Sequence, residues 1–246
     1  MNLTEIYLSH QGKVSQKFVS YLTTYERFLN TRKNSISSIL EIGVQNGGSL
    51  EIWAKYFDSA HCIVGVDINP ACSGLRFDDS RIKFVLGSTL EQKTYKHIAE
   101  ISPTYDLIID DGSHFAIDIV SNFLSYYPLL KEGGLFIVED MHASYWEEYG
   151  GGLHNQRAAH SFFKLLTDAM HREHYRPEDN AGRLFQTWMK SQSMNEFINS
   201  NPIYSVTFLD SLVIIEKTSS AYPGGLGDVV LAGEEAVVEP SILRHR

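Results

Sequence analysis

Only two cysteines, Cys62 and Cys72, occur in 246 residues. A disulfide framework is excluded, and Cys62, set in an apolar strand-like run, is expected as a buried thiol. No apolar run approaches the ~20 residues that span a bilayer, so no transmembrane segment is expected. The opening stretch MNLTEIYLSHQGK lacks the basic-then-apolar layout of a signal peptide. These features point to a cytoplasmic location. Positive charge is also scarce: 21 Lys and Arg against 30 Asp and Glu leave a net charge of −9. With no basic stripe, a nucleic-acid partner held through its phosphates is not expected, and neither is a membrane surface. Nothing in the composition excludes a homo-oligomer.

What is present suits one domain with a large core. Residues 14–30 place Phe18, Tyr21, Leu22, Tyr25 and Phe28–Leu29 at helical spacing, which predicts an amphipathic helix in an N-terminal helical segment, 1–35. Short apolar runs follow at Ile39–Ile42, Ile63–Val66, Ile82–Leu86, Leu107–Ile109 and Leu135–Val138. Helical stretches separate them near 48–57, 91–101 and 114–130. Strands alternating with helices predict an α/β fold with helices on both faces of a mostly parallel sheet. Apolar runs without polar alternation fit strands covered on both sides.

Residues 141–200 break this rhythm. They hold Trp146, the triplet Gly150–Gly152, a long helix near 157–174 and a polar stretch at Pro177–Arg183. They read as an insertion beside the sheet that can close over a bound molecule. Tyr145, Trp146 and Tyr149 are available there to stack on a sugar, or equally to form local core. Two strands close the domain, Ile203–Leu209 and Ser211–Lys217, with room only for a tight hairpin at Asp210–Ser211. A hairpin ending a parallel sheet is the ending of the Rossmann-like class I methyltransferase fold, seven-stranded, here over residues 36–217. Residues 218–246 read as a tail.

Two constellations carry chemistry. In the first, Ser38–Leu50, SILEIGVQNGGSL, is a strand opening through a glycine-rich turn into a helix. Gly43, Gly47 and the helix start near Ser49 suit a closely held ligand, with free N–H groups for a carboxylate. The pattern runs from Glu41 as E-x-G-x-x-x-G-G, not the G-x-G-x-x-G of a pyrophosphate site. Asp67 ends the second strand 20 residues beyond Gly47, the place of an acid that accepts from both ribose hydroxyls. Ile68 beside it is a further cofactor-binding candidate, and Ser88 after the third strand is a candidate for the adenine edge. The methyl donor S-adenosylmethionine fits this set. An NAD-dependent oxidoreductase and a non-catalytic cofactor-binding protein are the alternatives.

In the second, strand four ends in Asp110–Asp111 and strand five in Glu139–Asp140. Ligands bind outside the carboxyl ends of such strands. Two neighbouring ends therefore bring up to four carboxylates together, and a divalent cation relieves their repulsion. Oxygen donors favour magnesium, calcium or manganese. Asp110 can alternatively contact cofactor or substrate. His114, three residues beyond Asp111, is the candidate base, since imidazole as a residue type titrates near neutrality. His142 is its rival.

The run DDGSH, followed by GGLFIVEDMHASYW and the glycine triplet, resembles the metal-dependent sugar O-methyltransferases of macrolide biosynthesis, the mycinamicin type. It is also similar to the related cephalosporin hydroxylase and rhamnosyl O-methyltransferase group. The resemblance implies that Asp111, Glu139 and Asp140 bind magnesium (Mg2+), that His114 is the general base, and that the acceptor is a small-molecule hydroxyl on a glycoside. The sugar comes from the resemblance alone.

Overall fold

The computed structural model describes residues 1–176 and 178–219, with residues 226, 230–235 and 237 of the tail. The expectation for the tail thus falls mostly outside the described residues. Five strands, β1 (Ser38–Ile42), β2 (Cys62–Asp67), β3 (Ile82–Leu86), β4 (Tyr105–Asp110) and β5 (Leu130–Val138), are paired in parallel. β6 (Ile203–Leu209) and β7 (Leu212–Lys217) form the closing hairpin, and β7 pairs antiparallel with both β5 and β6. The sheet order is β3-β2-β1-β4-β5-β7-β6. The two-residue link Asp210–Ser211 holds because Ser211 takes a left-handed conformation, φ 66°.

Helices cover both faces. On one face lie α1 (Leu3–Leu8), α2 (Val19–Leu29) and α3 (Gly48–Tyr56), sharing a core with Ile39, Ile109 and Ile137. On the other lie α4 (Gln92–Ile101), α5 (Ala116–Tyr126), α6 (Ala159–Met170) and α7 (Ser191–Ser200), packed on Leu40, Ile108 and Phe136. Side chains alternate between faces along a strand. Neighbouring odd and even positions of β1, β4 and β5 therefore look into different cores, which later decides the fate of each acidic residue. Among the described residues no helix is long and apolar enough to cross a membrane.

Three helices are shorter than their periodicity predicts. The first starts at Val19, not 14, because the preceding backbone bonds elsewhere: Gly48 N–H donates to the Val14 carbonyl and Lys13 N–H to Glu51. Gly48 is needed for this approach, since a Cβ there would collide with the Lys13 carbonyl. α5 starts at Ala116, because His114 has φ 59°. α6 covers only Ala159–Met170, and its Phe162, Phe163 and Leu166 are fully buried beside Phe123 of α5. Much of the 141–200 insertion is therefore core of the second face.

Candidate functional site

A cavity of about 590 Å³ opens at the carboxyl ends of the parallel strands, within the usual range for small-molecule sites. The glycine turn after β1, the end of β2, and the Gly87–Ser88 turn after β3 line one half. Asp111, His114, Glu139 and Asp140 line the other. Residues 14–18 and Tyr21 form a wall across it. Of the positions singled out in the sequence, Gly43, Ser49, Asp67, Ile68, Ser88, Asp111, His114, Glu139 and Asp140 face this space. Glu41, Gly47 and Asp110 are not among its lining residues.

The turn after β1 is held by Asp67. Its Oδ2 accepts from Val44 N–H at 3.0 Å and Gln45 N–H at 2.8 Å, and its Oδ1 accepts from Asn69 N–H at 2.8 Å. A carboxylate has about four lone-pair sites, so acceptor capacity remains for a diol. Gly43 has φ 83°, and a Cβ on it would strike the Asp111 carbonyl. Glycine there lets the first and fourth strand ends come together, tied by Asp111 N–H donating to the Ile42 carbonyl at 2.8 Å.

The acidic pairs separate by face. Asp110 shares the α5 side, where Asn122 Nδ2 donates to it at 3.1 Å and Gly112 N–H at 3.3 Å. Burial drives its pKa up to about 7, with those donors opposing the shift. The expected four-carboxylate group is thus corrected: Asp110 turns away, and Glu41 of β1 takes the fourth place. Glu41, Asp111 and Glu139 occupy the same alternation on three adjacent strands, on the side covered by α1–α3. Glu41 is 0% exposed and accepts from Ser49 Oγ at 2.6 Å. Its pKa is raised by burial, against the pull of Lys17 and Ser49.

A cation already sits among these three. Lys17 Nζ donates to Asp111 Oδ2 at 2.5 Å and to Glu139 Oε1 at 2.6 Å, and lies 3.7 Å from Glu41 Oε1. Burial works to depress its pKa, but Glu139, Asp111 and Glu41 outweigh that and hold it well above the usual lysine value. Burial pushes Glu139 up, while the Lys17 ammonium pulls it back. Tyr25 Oη also donates to Glu139, at 2.5 Å. One helical turn earlier, Tyr21 Oη donates to Asp140 Oδ1 at 2.7 Å and lies 2.7 Å from Ser211 Oγ. Ser211 is in turn 2.5 Å from His142 Nδ1.

Asp140 has φ 54°, which turns its carboxylate toward His114, with Oδ2 3.5 Å from Nε2. Asp111, His114 and Asp140 each place one ligand atom within 4.8 Å of the others'. Two partly exposed carboxylates with hard oxygen donors suit a cation such as magnesium or manganese, so the residues fit a divalent ion. All four non-glycine residues with positive φ among the described residues, Gln45, His114, Asp140 and Ser211, belong to this region. Each such conformation costs about 1–3 kcal/mol, and such strain gathers at working sites.

At the mouth an arc of rings runs outward. Phe18 meets His142 edge-on at 6.2 Å, and His142 meets Trp146 at 4.9 Å. Trp146 lies 6.0 Å from Tyr149, which lies 6.5 Å from His114 and 5.4 Å from Phe115. Tyr145 instead stacks on His160 of α6 at 4.6 Å. The sequence reading missed Lys17, Tyr21, Tyr25 and Ser211. The one signal that points toward them is strand alternation, which leaves three carboxylates on the face of α2 with no lysine or arginine at the same strand ends.

Residues 8–176, well over half of the chain, match the model of the rhamnosyl O-methyltransferase/CmcI family. The chain belongs to that family. It is 28% identical over 215 residues to the 8-demethyl-8-alpha-L-rhamnosyl tetracenomycin-C 2'-O-methyltransferase of Streptomyces olivaceus, covering 84% of this chain and 52% of that protein. It is 31% identical over 149 residues to the mycinamicin VI 2''-O-methyltransferase of Micromonospora griseorubida, covering 58% of this chain and 36% of that protein. The chain thus spans about half the length, or less, of these curated relatives. The solved MycE methyltransferase of mycinamycin biosynthesis, in complex with Mg and SAH, superposes with a TM-score of 0.70 at 24% identity. The match covers 89% of this chain and 55% of that one. The shared fold is that of the class I methyltransferases.

Proposed function

We propose that this chain moves a methyl group from S-adenosylmethionine to a hydroxyl of a sugar on a glycosylated small molecule, with a divalent cation, magnesium first, in the site. The observation that carries this reading is one cavity with two halves: an acid-anchored glycine turn on one side, and the Asp111–His114–Asp140 group on the other. The family and the relatives' named reactions support the acceptor class.

The assignments follow from placement. Asp67 holds the ribose, and Gly43, Ile68 and Ser88 shape the cofactor half. Ser49, at the start of α3, offers its N–H end to the donor's carboxylate. Glu41, Gly47 and Asp110 act from behind this wall. Asp111, Glu139 and Asp140 would hold the cation. When bound, the cation supplies charge that lowers the pKa of an alcohol and orients it. His114 takes the hydroxyl proton as the oxygen–carbon bond forms and the sulfonium carbon–sulfur bond breaks, leaving a thioether. The arc of Phe18, Trp146, Tyr149 and Phe115 offers faces for the apolar side of a sugar or its aglycone. Residues 144–152 are the part of the insertion that can cover the acceptor.

Incubation of the purified chain with labelled methyl donor, magnesium and a panel of glycosides should label a sugar hydroxyl. Labelling of none of them, or transfer undiminished by EDTA, would overturn the reading. Asp67→Ala should weaken donor binding by about 1–3 kcal/mol, the scale of a lost hydrogen bond to a charged group. Calorimetry showing unchanged affinity would move the ribose elsewhere.

A further inference from the structure

Lys17 takes no part in the chemistry above, yet it is among the most confined charged groups of the chain. Its side chain is 2% exposed. Three carboxylates surround one ammonium, and two of them, Asp111 and Glu139, are among the residues that would bind the divalent cation. The oxygens that receive the lysine protons, Asp111 Oδ2 and Glu139 Oε1, have much of their acceptor capacity taken, since Glu139 Oε1 also accepts from Tyr25. An ammonium and a dication in one buried pocket also repel each other strongly.

We propose that Lys17 is a built-in competitor of the divalent cation: its amine fills the Asp111–Glu139 pair until the metal displaces it, and its withdrawal shifts the segment that walls the cavity. This rests on the reading of Asp111 and Glu139 as metal ligands. The gain to the chain is physical. Buried carboxylates without a counter-charge are strongly destabilising, and the lysine supplies that charge when no metal is bound. Its flexible four-carbon stem lets the charge leave without dismantling a helix, because Lys17 precedes α2.

The surrounding segment is suited to such a movement. Residues 12–18 hold no helix or strand. Apart from Lys17 itself, the hydrogen bonds that anchor residues 12–17 sit at Lys13, Val14 and Ser15: Lys13 to Glu51 through N–H and Nζ, each at 2.8 Å, the Lys13 carbonyl with His10 Nε2 at 2.9 Å, Gly48 N–H to the Val14 carbonyl at 3.2 Å, and Tyr7 Oη with Ser15 Oγ at 3.1 Å. Val14, Ser15, Gln16, Lys17 and Phe18 all line the cavity. Metal loading and the shape of the wall facing the donor are therefore coupled through one side chain.

The test is Mn2+ binding, read by electron paramagnetic resonance of the free ion, on the full chain, on Lys17→Met and Lys17→Gln, and on Lys13→Met as a control. Both Lys17 variants should bind Mn2+ about ten-fold tighter or more, because one opposing unit charge has been removed. Their Tm should fall below wild type without metal and recover with it, while Lys13→Met keeps wild-type Mn2+ affinity. Equal or weaker Mn2+ affinity in the Lys17 variants overturns the competition and leaves the metal reading intact. Absence of Mn2+ binding by every protein overturns both. Should the variants not fold, the wild-type chain decides by reductive methylation with mass spectrometry. Lys17 should be protected without metal and modified at saturating Mn2+. Protection in both conditions, or modification in both, overturns the displacement.

Discussion

Replacing His114 will lower kcat by about 10²–10⁴-fold, the cost of losing a positioned base, and will leave donor affinity nearly unchanged. The imidazole sits beside Asp140 at the mouth of the cavity, away from the Asp67 half. Asparagine is the better replacement than alanine. His114 has φ 59°, and asparagine tolerates the left-handed region, so His114→Asn removes the base with little backbone cost. His114→Ala should show the same kcat loss with an added fall in Tm. Steady-state kinetics with calorimetry on both variants separates the effects. Full kcat in His114→Asn would pass the base to another group, His142 first, since it shares the neighbourhood of Asp140 and Ser211. A loss of folding in both variants would make His114 a structural residue.

Asp140→Asn should reduce activity by about 10²-fold or more, because loss of a ligand charge removes much of the several kcal/mol that a bound cation supplies. Here too asparagine keeps the conformation that φ 54° demands while removing the charge. Tyr21 retains Ser211 as a partner, so the loop should stay in place and Tm should change little. EDTA should bring wild-type activity to background, and magnesium should restore it. Wild-type turnover in Asp140→Asn, or in chelator, would remove the cation from the reaction.

These two residues show how the site became legible. Periodicity alone places acids at the ends of β4 and β5, and an acid at the end of β2 at ribose-binding spacing from the glycine turn. It also places the closing hairpin, because only two residues separate its strands. The insertion was harder to read: α6 carries the same apolar spacing whether it covers a ligand or a sheet, and only its packing against α5 shows that it is core.

The sequence by itself determined the α/β alternation, the acid-ended strands and His114 three residues past Asp111. Each is a local pattern, set by the period of a strand or by a turn of a few residues. Only the tertiary structure decided which carboxylates meet. Asp110 and Asp111 are neighbours in the chain, but strand alternation sends them to opposite faces, while Glu41 and Glu139, far apart in sequence, arrive on the same side as Asp111. Only the fold could bring Lys17, 94 and 122 residues from its partners, into the space between them. A lysine near the start of a chain reads as a solvated charge. It is buried here because α2 and the segment before it pack over the one place on the sheet where three carboxylates share a face.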